Sequence, residues 1–385
     1  MLKKIYLISF VFSFSVALTT YVNSSLLDKI FGDFYVGILY IIASVISLTT
    51  LGLVPKIVKS IGAYKLIIST LLINVIGSLV LIKSQTQIGN AIGFFMFLPS
   101  IPLTYFCLDL FIEHFSKNNN TGKNRGLYLL AINAGWLFAP LIVGKIITSG
   151  NFSPVYHFAQ IIAFIALILA LLFIRRYHDP KYARQSLRQT LIGLNSNKQI
   201  KSAIKLNFVL QTFYAFMVIY TPIYLVNYFN LSWSQIGIIF SIMLSAFVIF
   251  QYPVGILIDN KKIKNINALL FSLVLMALTL IVFYNLKPSS PVILIGFIIF
   301  MTRVGAAIYE SSIEYFFFSR SDDSNSNYIS LFRDMSPLAY VIAPAIGTLI
   351  IKIMPIRNIF IVLAIFMLAA GLLTIKRITT YEKTT

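Results

Sequence analysis

Cysteine occurs once in 385 residues, at Cys107, which excludes a disulfide framework and any cysteine-based zinc or iron-sulfur site. Histidine occurs three times, at His114, His157 and His178, too few for a histidine metal set. Asp and Glu together number 12, and charged residues of both signs make up only 11% of the chain. A soluble chain carries about 25% charged residues, so a water-facing surface cannot be assembled from this composition. No Ser/His/Asp grouping and no glycine-rich phosphate loop is present, and Asp109-x3-Glu113-His114 is too small a cluster to hold a metal alone. No enzyme activity and no cofactor are therefore expected. What fills the chain is apolar: 58% hydrophobic residues, 33 Phe, 21 Tyr and a mean hydropathy of +0.86. This is the composition of an all-α membrane protein crossing the bilayer many times.

A bilayer core about 30 Å thick needs roughly 20 apolar residues per helix. Twelve such stretches are predicted, at 4–26, 34–54, 64–83, 87–114, 126–149, 155–175, 204–228, 233–258, 265–286, 290–317, 329–353 and 357–376. They leave no room for a soluble domain. Lys3 and Lys4 ahead of an apolar run resemble a secretion signal, but no small-x-small cleavage site follows, so the segment is read as the first span.

The net charge of +19 could suggest nucleic acid, but its distribution argues for topology. With the amino terminus in the cytoplasm, 23 of the 31 Lys and Arg residues fall on the inner side. The outer side receives Lys29, Lys83, Lys145, Lys287, Lys352 and Arg357, while Arg303 and Arg333 lie inside spans. Both termini are thus expected in the cytoplasm, and nucleic acid is not an expected partner. Residues 177–203 form the longest connection. Its basic residues are either topology determinants alone or, from Ala183 to Lys205, a basic helix lying on anionic lipid headgroups.

The chain repeats itself. Gly37 in Phe34-Tyr35-Val36-Gly37-Ile38-Leu39-Tyr40 is matched 200 residues later by Gly237 in Ser234-Gln235-Ile236-Gly237-Ile238-Ile239-Phe240. Pro55-x3-Lys59 falls on Gly255-x3-Asp259, Asp109-x3-Glu113 on Glu310-x3-Glu314, and Ala139-Pro140 on Ala343-Pro344. Six spans per half bring both halves into the membrane from the same side, a parallel repeat. The expected organisation is a six-helix half at 1–176, the basic linker at 177–203 and a second half at 204–385.

These features resemble the major facilitator superfamily. Gly255-Ile256-Leu257-Ile258-Asp259-Asn260-Lys261-Lys262 is similar to that family's loop signature, of which the first-half copy keeps Gly62 and Lys65 but has Pro55 for Gly and Lys59 for Asp. Gly135-Trp136-Leu137-Phe138-Ala139-Pro140-Leu141-Ile142-Val143-Gly144 resembles its Gly/Pro-rich fifth-helix motif. The resemblance implies a secondary transporter with alternating access, two six-helix bundles, and a solute path lined by spans 1, 4, 7 and 10.

A charge inside a span costs roughly 2.5 to 3.5 kcal/mol on insertion scales, so each needs a partner or a use. Glu113, Arg125, Glu314, Arg333 and Asp334 fall at the cytoplasmic level. The resemblance implies that each loop signature packs on the opposite half, pairing Asp259 with Arg125 and Lys59 with Asp334 as a cytoplasmic gate. The other reading is solvated helix ends. Arg303 is thirteen residues into the tenth span, near the bilayer midplane, with Glu310 two turns along the same face. The resemblance turns both towards the solute, with Asp109 opposite. A guanidinium at that depth suits a carboxylate or phosphate, and Glu310 and Asp109 are the candidates to carry a coupling proton. The alternative is a structural ion pair between Arg303 and an acid on a neighbouring helix. Asn133, Asn207, Gln211 and Tyr214 complete the candidate substrate contacts, and Trp136, Gln251 and Tyr340 are placed to reach inward as well.

The leading expectation is a proton-coupled secondary transporter of a small polar or anionic solute, residing as a monomer among the lipids of a bacterial inner membrane. The alternative is an efflux pump for amphipathic or cationic compounds, favoured by the phenylalanine content but lacking an acid within the first span. A non-transporting sensor is a third, disfavoured by the few residues after Ile378.

Overall fold

The computed structural model describes residues 1–115, 121–147, 150–174, 197–260, 262–320 and 326–384. Residues 177–196 of the expected basic linker lie outside the described residues. The architecture is all-helical, with α1 at Leu2–Thr20, α2 at Asn23–Phe31, α3 at Asp33–Ile61, α4 at Ala63–Lys83, α5 at Gln87–Phe115, α6 at Thr121–Ile146 and α7 at Ser153–Phe173. There follow α8 at Lys198–Asn227, α9 at Trp233–Asp259, α10 at Asn265–Asn285, α11 at Val292–Phe318, α12 at Ser326–Ile353 and α13 at Asn358–Thr384.

Among the described residues, 11 helices are long and apolar enough to cross a membrane, α1 and α2 counting together as Leu2–Phe31. The fifth expected span, 126–149, falls on α6, whose described apolar part is Leu130–Ile146. The seventh span begins earlier than expected. Asn197 accepts a hydrogen bond from the backbone N–H of Ile200 at 3.1 Å, and this cap starts α8 at Lys198 rather than at 204. Turns between helices are equally local. Gly62 alone links α3 to α4 with φ +84°, a left-handed backbone that suits glycine and reverses the chain within one residue.

By internal packing the chain divides into one unit of Met1–Arg184 with Ser232–Ile238, and a second of Gln185–Leu231 with Ile239–Thr385. In the first, α1 packs on α5, α6 and α7, and α4 on α5 and α7. In the second, α8 packs on α11, α12 and α13, and α10 on α11 and α13. The second set is the first transposed by six spans, so the sequence repeat is a repeat of packing. The first unit's core gathers Ile5, Phe12, Leu66, Leu108, Phe111 and Leu167, contributed by α1, α4, α5 and α7. Large apolar side chains such as Leu172, Val248, Phe271 and Leu373 are instead exposed, the surface a lipid solvent accepts.

Within each unit small and polar residues replace bulk where helices approach closely. A Cβ at Gly77 of α4 would stand 2.7 Å from the backbone nitrogen of Phe97, so only glycine lets α4 and α5 meet there. Beside it Asn74 donates to the Ser100 hydroxyl at 2.9 Å, and Thr104 donates to Thr70 at 3.0 Å.

Candidate functional site

Helix α8 places Gln211, Phe213 and Tyr214 along one stretch, α9 contributes Gln251, and α11 contributes Arg303 and Glu310. Arg303 is 2% exposed. Its guanidinium carbon lies 5.1 Å from the ring centre of Phe213 and 5.5 Å from that of Tyr214, within cation–π range. Its Nε is buried and has no hydrogen-bond partner among the described residues. Two aromatic faces of α8 are thus among its neighbours. The rings attract the cation but accept no hydrogen bond from its Nε.

Glu310 is half-buried two turns along α11. Tyr214 Oη donates to its Oε2 at 3.1 Å, and Gln251 Nε2 donates to the same oxygen at 2.8 Å. Ser311 donates to the Gln251 carbonyl at 3.3 Å, fastening α9 to α11 around the carboxylate. Tyr214 thus touches both charges, with its ring towards Arg303 and its hydroxyl on Glu310. Chemically, the cluster presents a buried cation with open N–H capacity and a carboxylate oriented through one oxygen.

The other candidates divide by what they bond. Asn207 is buried, and its Nδ2 donates to the Phe332 carbonyl of α12 at 2.6 Å while its Oδ1 accepts from Gln211 at 3.3 Å. Its amide ties two helices together. Asp109 is half-buried on α5, and Asn133 is exposed on α6, both in the first unit. Close to Asn133, Trp136 Nε1 donates to Ser13 at 3.1 Å and Ser13 donates to the Ile132 carbonyl at 2.8 Å, joining α1 to α6. Of the cytoplasmic gate candidates, Lys59, Glu314 and Arg333 are exposed and Asp334 is half-buried. The side chains of Glu113, Arg125 and Asp259 lie outside the described residues, although their backbones sit in α5, α6 and α9.

Phe213 was not legible as a site residue, because in a chain with 33 phenylalanines nothing distinguishes it. The one available signal is its place between Gln211 and Tyr214, in a polar stretch of the helix. Among the described residues no group of three or more His, Cys, Asp and Glu side chains is placed to hold a metal ion.

A family model described as the Major Facilitator Superfamily matches residues 5–333 and 213–384. The chain belongs to the Major Facilitator Superfamily. A bacterial homologue of the human lysosomal transporter Spinster, in an inward-facing and unoccupied conformation, matches with a TM-score of 0.77 at 13% identity, covering 99% of this chain and 97% of that one. The nucleoside transporter NupG, as its D323A mutant, gives 0.76 at 14% identity over 97% and 99% of the two chains. A POT family transporter bound to 5-aminolevulinic acid gives 0.74 at 14% identity over 97% and 94%. A search of curated proteins by sequence finds no match. At such identities the likeness is one of fold, and the fold is that of a multi-pass membrane transporter. The superfamily's parallel repeat explains why α8 and α11 of the second unit stand where α1 and α5 stand in the first.

Proposed function

We propose that the protein is a proton-coupled secondary transporter that moves a small polar or anionic solute by alternating access. The observation that carries this reading is Arg303: 2% exposed, deep in an apolar helix, stacked on Phe213 and Tyr214, with a buried N–H that no group among the described residues accepts. A buried N–H left without an acceptor is costly. An anionic solute group supplies the missing acceptors, and a guanidinium offers a planar fork suited to carboxylate or phosphate. Glu310 and Asp109 are the proposed proton carriers, Glu310 because Tyr214 and Gln251 hold its carboxyl in place at one oxygen. The distribution of Lys and Arg supports cytoplasmic termini, and the short loops suit a bacterial inner membrane. We further propose that Asp259, Arg125, Lys59, Asp334, Glu113, Glu314 and Arg333 form the cytoplasmic gate, so that Asp259→Asn slows transport while solute binding persists.

The test is proton release on adding organic acids, sugar phosphates, amino acids and cationic dyes to purified protein in detergent. Anions should displace protons from the wild type, and Arg303→Gln should abolish the response. If only cationic dyes respond and Arg303→Gln changes nothing, the arginine is structural and the protein is an exporter of cations.

A further inference from the structure

The anion site proposed above faces a second charge on the same helix. Arg303 and Glu310 are seven residues apart in α11, which turns them to nearly the same face and separates their backbones by about 10 Å along the axis. Tyr214 stands at both, its ring 5.5 Å from the guanidinium and its hydroxyl 3.1 Å from the carboxylate. Both hydrogen bonds to Glu310 arrive at Oε2, from Tyr214 and Gln251, so Oε1 receives neither. The guanidinium in turn keeps a buried Nε–H without an acceptor among the described residues. One cation and one carboxylate therefore share Tyr214, the cation with a buried Nε–H and the carboxylate with Oε1 outside these bonds.

From this juxtaposition we propose that the solute is a zwitterion, its carboxylate taken by Arg303 and its ammonium group by Glu310, with Phe213 and Tyr214 flanking the stem between them. This rests on the reading of Arg303 as the anion site and adds the second recognition point. The neighbouring charge on α11, Glu314, is exposed one turn further on. Its negative sign favours the ammonium end of the ligand on the Glu310 side.

The experiment measures binding to the purified full-length protein by calorimetry across two matched series. One is glycine, 3-aminopropanoate, 4-aminobutanoate and 5-aminopentanoate; the other is the same acids without the amine. The expected result is that the amine tightens binding of at least one member of the series by about tenfold or more, the worth of one charge-assisted hydrogen bond. In Glu310→Gln, an isosteric change that still bonds Tyr214 and Gln251, the ratio between each amino acid and its amine-free partner should collapse towards one. Glu310→Asp, which draws the carboxylate back by one carbon, should move the preferred ligand to a longer chain. If the amine makes no difference in the wild type, or the ratio survives Glu310→Gln, the zwitterion proposal is overturned while the anion site stands. If neither series binds, or both bind Arg303→Gln as well as the wild type, the anion site itself fails.

Discussion

Tyr214 and Glu310 are joined by a 3.1 Å hydrogen bond that crosses from α8 to α11 in the second unit. The same tyrosine ring lies 5.5 Å from Arg303 and packs on Phe213 and Phe247, so one side chain has two separable roles. Tyr214→Phe keeps the ring and removes the donor. Thermal unfolding in detergent should show a loss of about 0.5–1.5 kcal/mol, the usual worth of one intramolecular hydrogen bond. Tyr214→Ala removes the ring as well and should melt distinctly lower; equal melting of the two variants would show that the ring contributes nothing.

Asn207→Ala should destabilise the packing of α8 on α12. The Phe332 carbonyl loses its 2.6 Å donor, and Gln211 loses the Oδ1 to which it donates. Interhelical hydrogen bonds in membrane proteins average about 0.6 kcal/mol, reaching about 1.7. Asn207→Asp should cost more than Asn207→Ala, since it sets a carboxylate against a carbonyl oxygen. Melting temperatures of the purified variants decide the order.

Gly77→Leu should be severe. The new Cβ would stand 2.7 Å from the Phe97 backbone nitrogen, and backbone cannot move aside as a side chain would. A penalty of about 1–3 kcal/mol or more follows from overpacking. Gly52→Ala in α3 is the control, because nothing lies within 4 Å of its added methyl. It should leave the melting temperature unchanged or raise it through helix propensity. A Gly77→Leu protein that melts with the wild type would refute the close approach of α4 and α5.

Trp136→Phe removes the indole N–H that Ser13 accepts at 3.1 Å and shortens the edge contact with Tyr21. Ser13 keeps its own bond to the Ile132 carbonyl, so the expected loss is under about 1.5 kcal/mol. Ser13→Ala removes both bonds between α1 and α6 and should lower the melting temperature further. The reverse order would place the helix contact in the indole ring rather than in the hydroxyl.

Composition and periodicity are enough to establish the membrane class, the helical spans and the twofold internal repeat, because in hydrocarbon every backbone polar group must bond within its own helix. Arg303 and Glu310 were legible for the same reason, since a charge in an apolar run stands out. What each of them meets follows only from packing. That Arg303 rests on Phe213, and that Gln251 and Tyr214 converge on one oxygen of Glu310, depends on how α8, α9 and α11 are rotated against each other. Rotation is set by small residues and interhelical bonds such as Asn207 to the Phe332 carbonyl. Asn207 and Gln251 are both amides in apolar helices and cannot be told apart in the sequence. Only their neighbours make one a clamp between helices and the other part of the charged cluster.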